Sequence, residues 1–285
     1  DGLHLGHKKV IKTILKEPIG VPTVVSFWPH PREVLFNESR LRLDLPSEKT
    51  LLLKPLGIEQ LVLVPFDKTL ASKSAESFID EILVKTLHAK HIAVGENFRF
   101  GRNREGDIST LKKIGASQGI KVSIVPIIED QDGRLSSSRI RKALNDGDLN
   151  HAKYLLNRPY TFRGSVQRGK GLGKKIGWPT ANLKIDGRKF LPSLGVYAAW
   201  ASIANKNERF SAVMNLGPQP TIDPNSSSAA EVHLLDKEIN LLGEELIIEP
   251  VKRIRLQEKF ESIEALSNQI RKDANLAKEI LINNN

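Results

Sequence analysis

Two rhythms of apolar and polar positions divide the chain. From about residue 4 to residue 157, short apolar runs alternate with stretches of helical spacing. Residues 21–27, 60–65, 91–95 and 121–125 are rich in β-branched side chains and predict buried strands. Between them lie helical patterns. In the clearest, Phe78, Ile79, Ile82, Leu83 and Leu87 share one face, with Ser74 placed to cap it. Strand, helix, strand, helix predicts an α/β unit with a parallel sheet covered on both faces, and such sheets bind ligands at the carboxyl ends of their strands. From about residue 158 the pattern changes. Residues 160–166, 196–203, 210–216, 231–235 and 246–255 read as strands separated by Gly, Pro, Asn and Asp clusters. They predict a small antiparallel barrel or sandwich. A final helix carries Ile263, Leu266, Ile270, Ala277 and Leu281 on one side. Pro159 ends the preceding helical stretch, so the expected domains are 1–157 and 158–285.

Composition narrows the chemistry. There is no cysteine among the 285 residues, which excludes disulfides, thiolate metal sites and thiol nucleophiles. The net charge of +10 suits phosphates, nucleic acid or acidic lipid, but also a plain solvated surface. The basic residues are spread along the chain, and no zinc-finger spacing or RNA-binding signature accompanies them. No apolar run is long enough to span a bilayer, and Asp1-Gly2-Leu3-His4 lacks the regions of a signal peptide. The expectation is a cytoplasmic protein with neither nucleic acid nor membrane as partner, its oligomeric state left open.

His4-Leu5-Gly6-His7 stands directly before a predicted helix. Two imidazoles there face one ligand, the free backbone N–H groups and the helix dipole favour anions, and Gly6 allows close approach of a phosphate. A nucleotidyl transfer needs fixed donors of this kind on the phosphate under attack. Alone, the motif also describes two surface histidines. Ser136-Ser137-Ser138-Arg139-Ile140-Arg141 forms a second candidate anion cradle at a helix start, or a simple N-cap with solvated arginines. The loops Phe27-Trp28-Pro29-His30-Pro31 and Gly95-Glu96-Asn97-Phe98-Arg99-Phe100-Gly101 follow predicted strands, where ligand contacts belong.

In that order, these four motifs resemble the FMN adenylyltransferase module of bacterial FAD synthetases, within the His-x-Gly-His nucleotidyltransferase superfamily. The resemblance implies that His4 and His7 act on ATP phosphates, with Gly6, Asn97, Ser136, Ser137, Arg141 and Asp148 also at the phosphates and Phe98 and Phe100 near the flavin. No residue is covalently modified in such a reaction. Ser138 replaces the usual Thr and keeps the hydroxyl. The family also has a strand ending in Gly-Asn-Phe before this motif, and the sequence starts after it. Without that strand, the sheet is expected to expose unpaired backbone and an apolar cleft.

In the second half, residues 164–177 are rich in Gly and Lys, a composition that lets backbone wrap phosphates or simply makes a flexible turn. The order of a P-loop is absent. Trp178-Pro179-Thr180-Ala181-Asn182 follows, with Thr180 and Asn182 on one side of an extended segment as hard oxygen donors suited to Mg²⁺, or as a satisfied proline turn. Glu231, on a predicted strand, is either a general base projecting from a barrel wall or an ordinary exposed carboxylate.

Together these stretches resemble riboflavin kinase: Gly164 to Gly169, Gly173 to Asn182, Gly195-Val196-Tyr197, Asn215 to Thr221, Glu231-Val232-His233-Leu234, and Arg255 to Phe260. The resemblance implies a six-stranded antiparallel barrel with a terminal helix. It implies that Thr180 and Asn182 contact Mg²⁺–ATP, that Glu231 activates the riboflavin 5′-hydroxyl, and that a loop including Gly164, Gly169, Gly173 and Lys174 closes over phosphate and flavin. Lys174 stands for the usual Arg, keeping charge but losing the bidentate fork. The expected activity is therefore riboflavin to FMN in the second half, then FMN to FAD in the first, with ATP as co-substrate of both. A kinase with a silent transferase half, and a basic nucleic-acid-binding protein, are the rival readings.

Overall fold

All four apolar runs of the first half become strands, and all five of the second half do so too. In a computed structural model that describes residues 1–38, 41–169, 173, 176–217 and 230–284, the chain forms two units. One comprises residues 1–40 and 44–136, the other residues 41–43 and 137–285. Lys174, residues 218–221 of the Asn215 to Thr221 motif, and Ser226 to Ser228 lie outside the described residues.

The first unit holds four parallel strands, β1 (Thr23–Trp28), β2 (Gln60–Pro65), β3 (His91–Gly95) and β4 (Lys121–Val125), and a short hairpin of β5 (Glu129–Asp130) and β6 (Gly133–Arg134). Its helices are α1 (Leu5–Lys16), α2 (Pro31–Phe36), α3 (Pro46–Leu53), α4 (Lys68–Ala71), α5 (Ala75–Phe78) and α6 (Ile108–Ser117). Ser74 caps α5 as expected, its hydroxyl accepting from the Ser77 N–H, but the amphipathic stretch continues from Ile79 to Thr86 as a π-helix. The parallel strands pair as β1 with β2 and β3 with β4, and among the described residues no ladder joins the two pairs. A cavity of about 730 Å³ is lined by Val24, Val25 and Phe27 of β1 and by Ile92 and Val94 of β3.

The second unit opens with α7 (Ser137–Asp146) and α8 (Leu149–Leu156). It continues through β7 (Phe162–Gln167), β8 (Ala181–Lys184), β9 (Gly195–Ile203), β10 (Arg209–Leu216), β11 (Ala230–Leu234) and β12 (Glu245–Arg255), and ends in α9 (Ile263–Ile282). The six strands close into an antiparallel barrel in the order β10-β11-β8-β7-β12-β9. Alternation sorts the faces. Tyr197, Ala199, Met214, Val232 and Leu183 point into a closed interior, whereas Val196, Ala198 and Val213 point outward and are covered by Ala274, Ala277 and Leu281 of α9.

α9 is also pinned by charge. Arg255, at the end of β12, donates from Nε and Nη2 to the Asp273 carboxylate at 2.8–3.1 Å, and Asp273 is only 3% exposed. Asp273→Ala would strand the guanidinium beside an apolar helix. We expect a loss of about 3 kcal/mol, the low end for a broken buried pair, because Arg255 keeps the Leu256 carbonyl and the Phe260 ring. Equilibrium denaturation of the variant measures it.

Residues 41–43 are built into this second unit as a short parallel strap. Arg42 bridges Lys189, with its N–H donating to the Arg188 carbonyl and its carbonyl accepting from the Phe190 N–H. The buried Lys189 ammonium donates to the Leu43 carbonyl at 2.6 Å and lies over the Tyr160 ring. The Tyr160 hydroxyl donates to the Phe190 carbonyl.

Candidate active sites

In the first unit the site forms at the start of α1. His4 is its N-cap: Nδ1 accepts from the Gly6 N–H at 3.1 Å. The His4 and His7 rings lie 3.9 Å apart between centroids, tilted by 41°. Burial lowers the His4 imidazole from its ordinary 6.5 to about 4, helped by the charge of Arg134. Burial also holds His7 well below 6.5, with His4, Lys49 and Arg134 adding to it. Both rings are therefore neutral at pH 7. His7 Nδ1 is buried without a hydrogen-bond partner among the described residues.

His4, Gly6, His7, Asn97 and Phe98 all line the same cavity, and so does Arg134, which the sequence reading did not single out. The Asn97 amide, turned with its oxygen toward Arg134, accepts from both terminal guanidinium nitrogens at 2.7 and 2.8 Å. The only hint in the sequence was a basic residue two positions before Ser136. Phe98 and Phe100 stack at 5.4 Å, but only Phe98 lines the cavity. Phe100 is 7% exposed and packs among Phe78, Ile79 and Leu111. His30 caps α2, its Nδ1 accepting from the Arg32 N–H.

The remaining residues of this group are divided between the units. Ser136 is the last residue of the first, and Ser137 opens α7 in the second. Arg141 donates to the Ser137 and Leu41 carbonyls at 3.2 Å each and faces the Phe190 ring. Asp148 caps α8 by accepting from the His151 N–H.

On the barrel, antiparallel register assembles one polar row across four strands. Gln167 of β7 pairs with Asn182 of β8, Asn182 with Glu231 of β11, and Glu231 with Asn215 of β10. Cross-strand partners stand about 4.5–5.5 Å apart at Cβ and share a face. Their sequence neighbours Val166, Leu183, Val232 and Met214 are buried, so this row lies on the outer wall. Thr180 falls on the same side by alternation. Gln257 closes one end, donating to the Asn215 side-chain oxygen at 2.8 Å.

The glycines of the preceding loop are required by close approach. A Cβ at Gly169 would collide with the Asn182 amide. One at Gly173 would collide with the Trp178 carbonyl oxygen and stand 3.2 Å from Thr180 Oγ1. Gly164 serves packing instead, inside the barrel wall against Leu183 and Ile185. Gly173→Ala forces the backbone away from Thr180. A displacement of about 1 Å at such a site costs about 10²-fold, so phosphorylation of riboflavin is expected to fall by that order while conversion of supplied FMN to FAD is retained. Unchanged phosphorylation would separate the loop from the site.

Comparison with known proteins agrees with both halves. The family model described as FAD synthetase matches residues 1–139, and the one described as riboflavin kinase matches residues 156–281. The bifunctional riboflavin kinase/FMN adenylyltransferase of Escherichia coli is 35% identical over 98% of this chain and 90% of its own length. That of Bacillus subtilis is 36% identical over 96% and 87%. A crystal structure named as a macrolide-efflux protein from Streptococcus pneumoniae superposes with a TM-score of 0.84 at 31% identity, covering 98% of this chain and 91% of that one. Efflux is said of that protein alone. Among the described residues here no helix is long and apolar enough to cross a membrane. Two catalytic units in one chain, in this order and at this similarity, place the protein in the bifunctional riboflavin kinase/FMN adenylyltransferase family.

Proposed function

We propose that the second unit phosphorylates riboflavin from ATP and that the first joins the resulting FMN to the adenylyl group of a second ATP. The observation that carries the kinase assignment is the outer-wall row that sets Glu231 beside Asn182, with Thr180 and the Gly169 and Gly173 backbones against them. Glu231 takes the proton of the riboflavin 5′-hydroxyl. The oxygen then bonds to the γ-phosphorus, the bond to the β,γ-bridging oxygen breaks, and ADP leaves.

Mg²⁺ fits the donor set here. Thr180 and Asn182 offer hard oxygens, and the Gly169 and Gly173 backbones lie directly against them. Such an ion would neutralise charge on the phosphates.

In the first unit, the phosphate of FMN attacks the α-phosphorus of ATP and pyrophosphate leaves, without a covalent enzyme intermediate. Neutral His4 and His7, the positive end of the α1 dipole, and Arg134 supply fixed positive or donor groups for the developing charge. Phe98 offers the flavin a ring face on the cavity wall. Arg141 and Asp148 complete the assignment by resemblance alone.

The protein incubated with riboflavin, ATP and Mg²⁺ is expected to yield FMN and FAD, resolved by chromatography. FMN alone would confine the reading to the kinase. No phosphorylated flavin from folded protein would overturn it.

A further inference from the structure

The Pro-Thr-Ala-Asn segment is fastened at two places, and one fastener is an imidazole. From Ala181 onward the segment is laddered to β11, the last pair being Val232 with Ala181. Continuing the register would set His233 opposite Thr180, but the backbone ladder stops beside Pro179, which has no N–H to give. His233 takes over with its side chain: Nδ1 lies 2.7 Å from the Pro179 carbonyl oxygen. A carbonyl oxygen only accepts, so Nδ1 carries the proton. The ring is set in turn by the Trp178 indole, edge-on at 5.2 Å and 76°. That indole donates from Nε1 to Ser267 Oγ of α9 at 3.2 Å. Thr180 lies between the imidazole hold at 179 and the ladder at 181.

We propose that His233 is a positioning residue of the phosphoryl-transfer site: by donating from Nδ1 to the Pro179 carbonyl, it fixes the orientation in which Thr180 and Asn182 present their oxygens to Mg²⁺–ATP. This rests on the assignment of Thr180 and Asn182 made above. The proton-transfer role stays with Glu231, two residues away on the same face, while the Nδ1–H of His233 holds backbone. Through Trp178 and Ser267 the hold extends to the terminal helix, which thereby acts on a loop it does not enter.

Three substitutions separate the donor from the ring. His233→Asn keeps an N–H near the Nδ1 position, His233→Gln moves it to the Nε2 position, and His233→Phe keeps a ring against Trp178 with no donor. For His233→Phe and His233→Gln we expect kcat/KM for Mg²⁺–ATP to fall about tenfold with KM for riboflavin unchanged, and for His233→Asn to stay within about threefold of wild type. Calorimetric binding of Mg²⁺–ADP, which needs no turnover, should weaken in the same order. The imidazole ¹⁵N spectrum should show the His233 proton on Nδ1. A proton on Nε2, a His233→Asn variant as impaired as His233→Phe, or a His233→Phe variant at wild-type level overturns the proposal. Should His233→Phe fail to fold, the Asn and Gln variants decide between the same outcomes. Thr180→Val tests the underlying assignment separately: if it phosphorylates riboflavin normally, that assignment fails, whatever His233 does.

Discussion

Glu231→Gln is expected to fold as wild type and to lose about 10²–10⁴-fold in riboflavin phosphorylation, the span of a lost general base. The substitution keeps volume and hydrogen-bonding shape and removes only the capacity to take a proton. Glu231 stands on the outer wall, between Asn182 and Asn215, and is half-buried rather than packed in the core. Stability should therefore change little. The loss should fall on kcat, with KM for riboflavin and for ATP near wild type, because the carboxylate acts in the transition state. Conversion of supplied FMN to FAD is the internal control and should be intact. A Gln variant phosphorylating within a few-fold of wild type would remove Glu231 from the role and leave the polar row as a binding surface.

His4→Ala/His7→Ala is expected to reverse that pattern, abolishing FAD formation from FMN while FMN still forms from riboflavin. Loss of one fixed donor at a developing oxyanion costs about 10²–10³-fold, and here two neighbouring donors go together. A stability signature accompanies the kinetic one. The His4 imidazole is lowered from 6.5 to about 4, so between those pH values the unfolded chain binds a proton that the folded chain refuses. Wild-type stability therefore declines as pH falls through this window and flattens below it. His7 contributes in the same direction. The double variant lacks this component, so denaturation at pH 7 and at pH 4.5 should show a smaller drop than wild type. Equal drops would mean that the rings are not buried as described, and unchanged FAD output would sink the assignment of the first site.

What the sequence revealed was mostly local. The strands of both halves stood out because β-branched runs such as Val24-Val25 and Val62-Leu63-Val64 need a buried sheet. The terminal helix stood out through its spacing. β8 was hidden: four residues, Ala181 to Lys184, alternate too briefly to register as a strand. The polar row around Glu231 could not be read from the sequence, because cross-strand register brings positions 167, 182, 215 and 231 together only once the barrel closes. Arg134 was missed for a similar reason. It needs the β5–β6 hairpin to meet Asn97. Phe98 and Phe100 look equivalent as letters, and only packing sends one to the cavity and the other to the core. Arg255 read as part of a motif, whereas its buried partner Asp273 lies 18 residues away.

The strap at residues 41–43 makes the second unit discontinuous in sequence, and this bears on synthesis and dissection alike. The Lys189 ammonium and the Leu43 carbonyl that it binds are 146 residues apart along the chain. A ribosome delivers the strap early and its dock late, so the unit cannot be completed as its own residues emerge, and closing so long a loop is a slow, late event. Nor can one cut divide the chain into its two units. A break anywhere between residues 44 and 136 leaves three residues of the barrel-bearing unit attached to the wrong piece, and recombining fragments would have to restore that strand across a chain end.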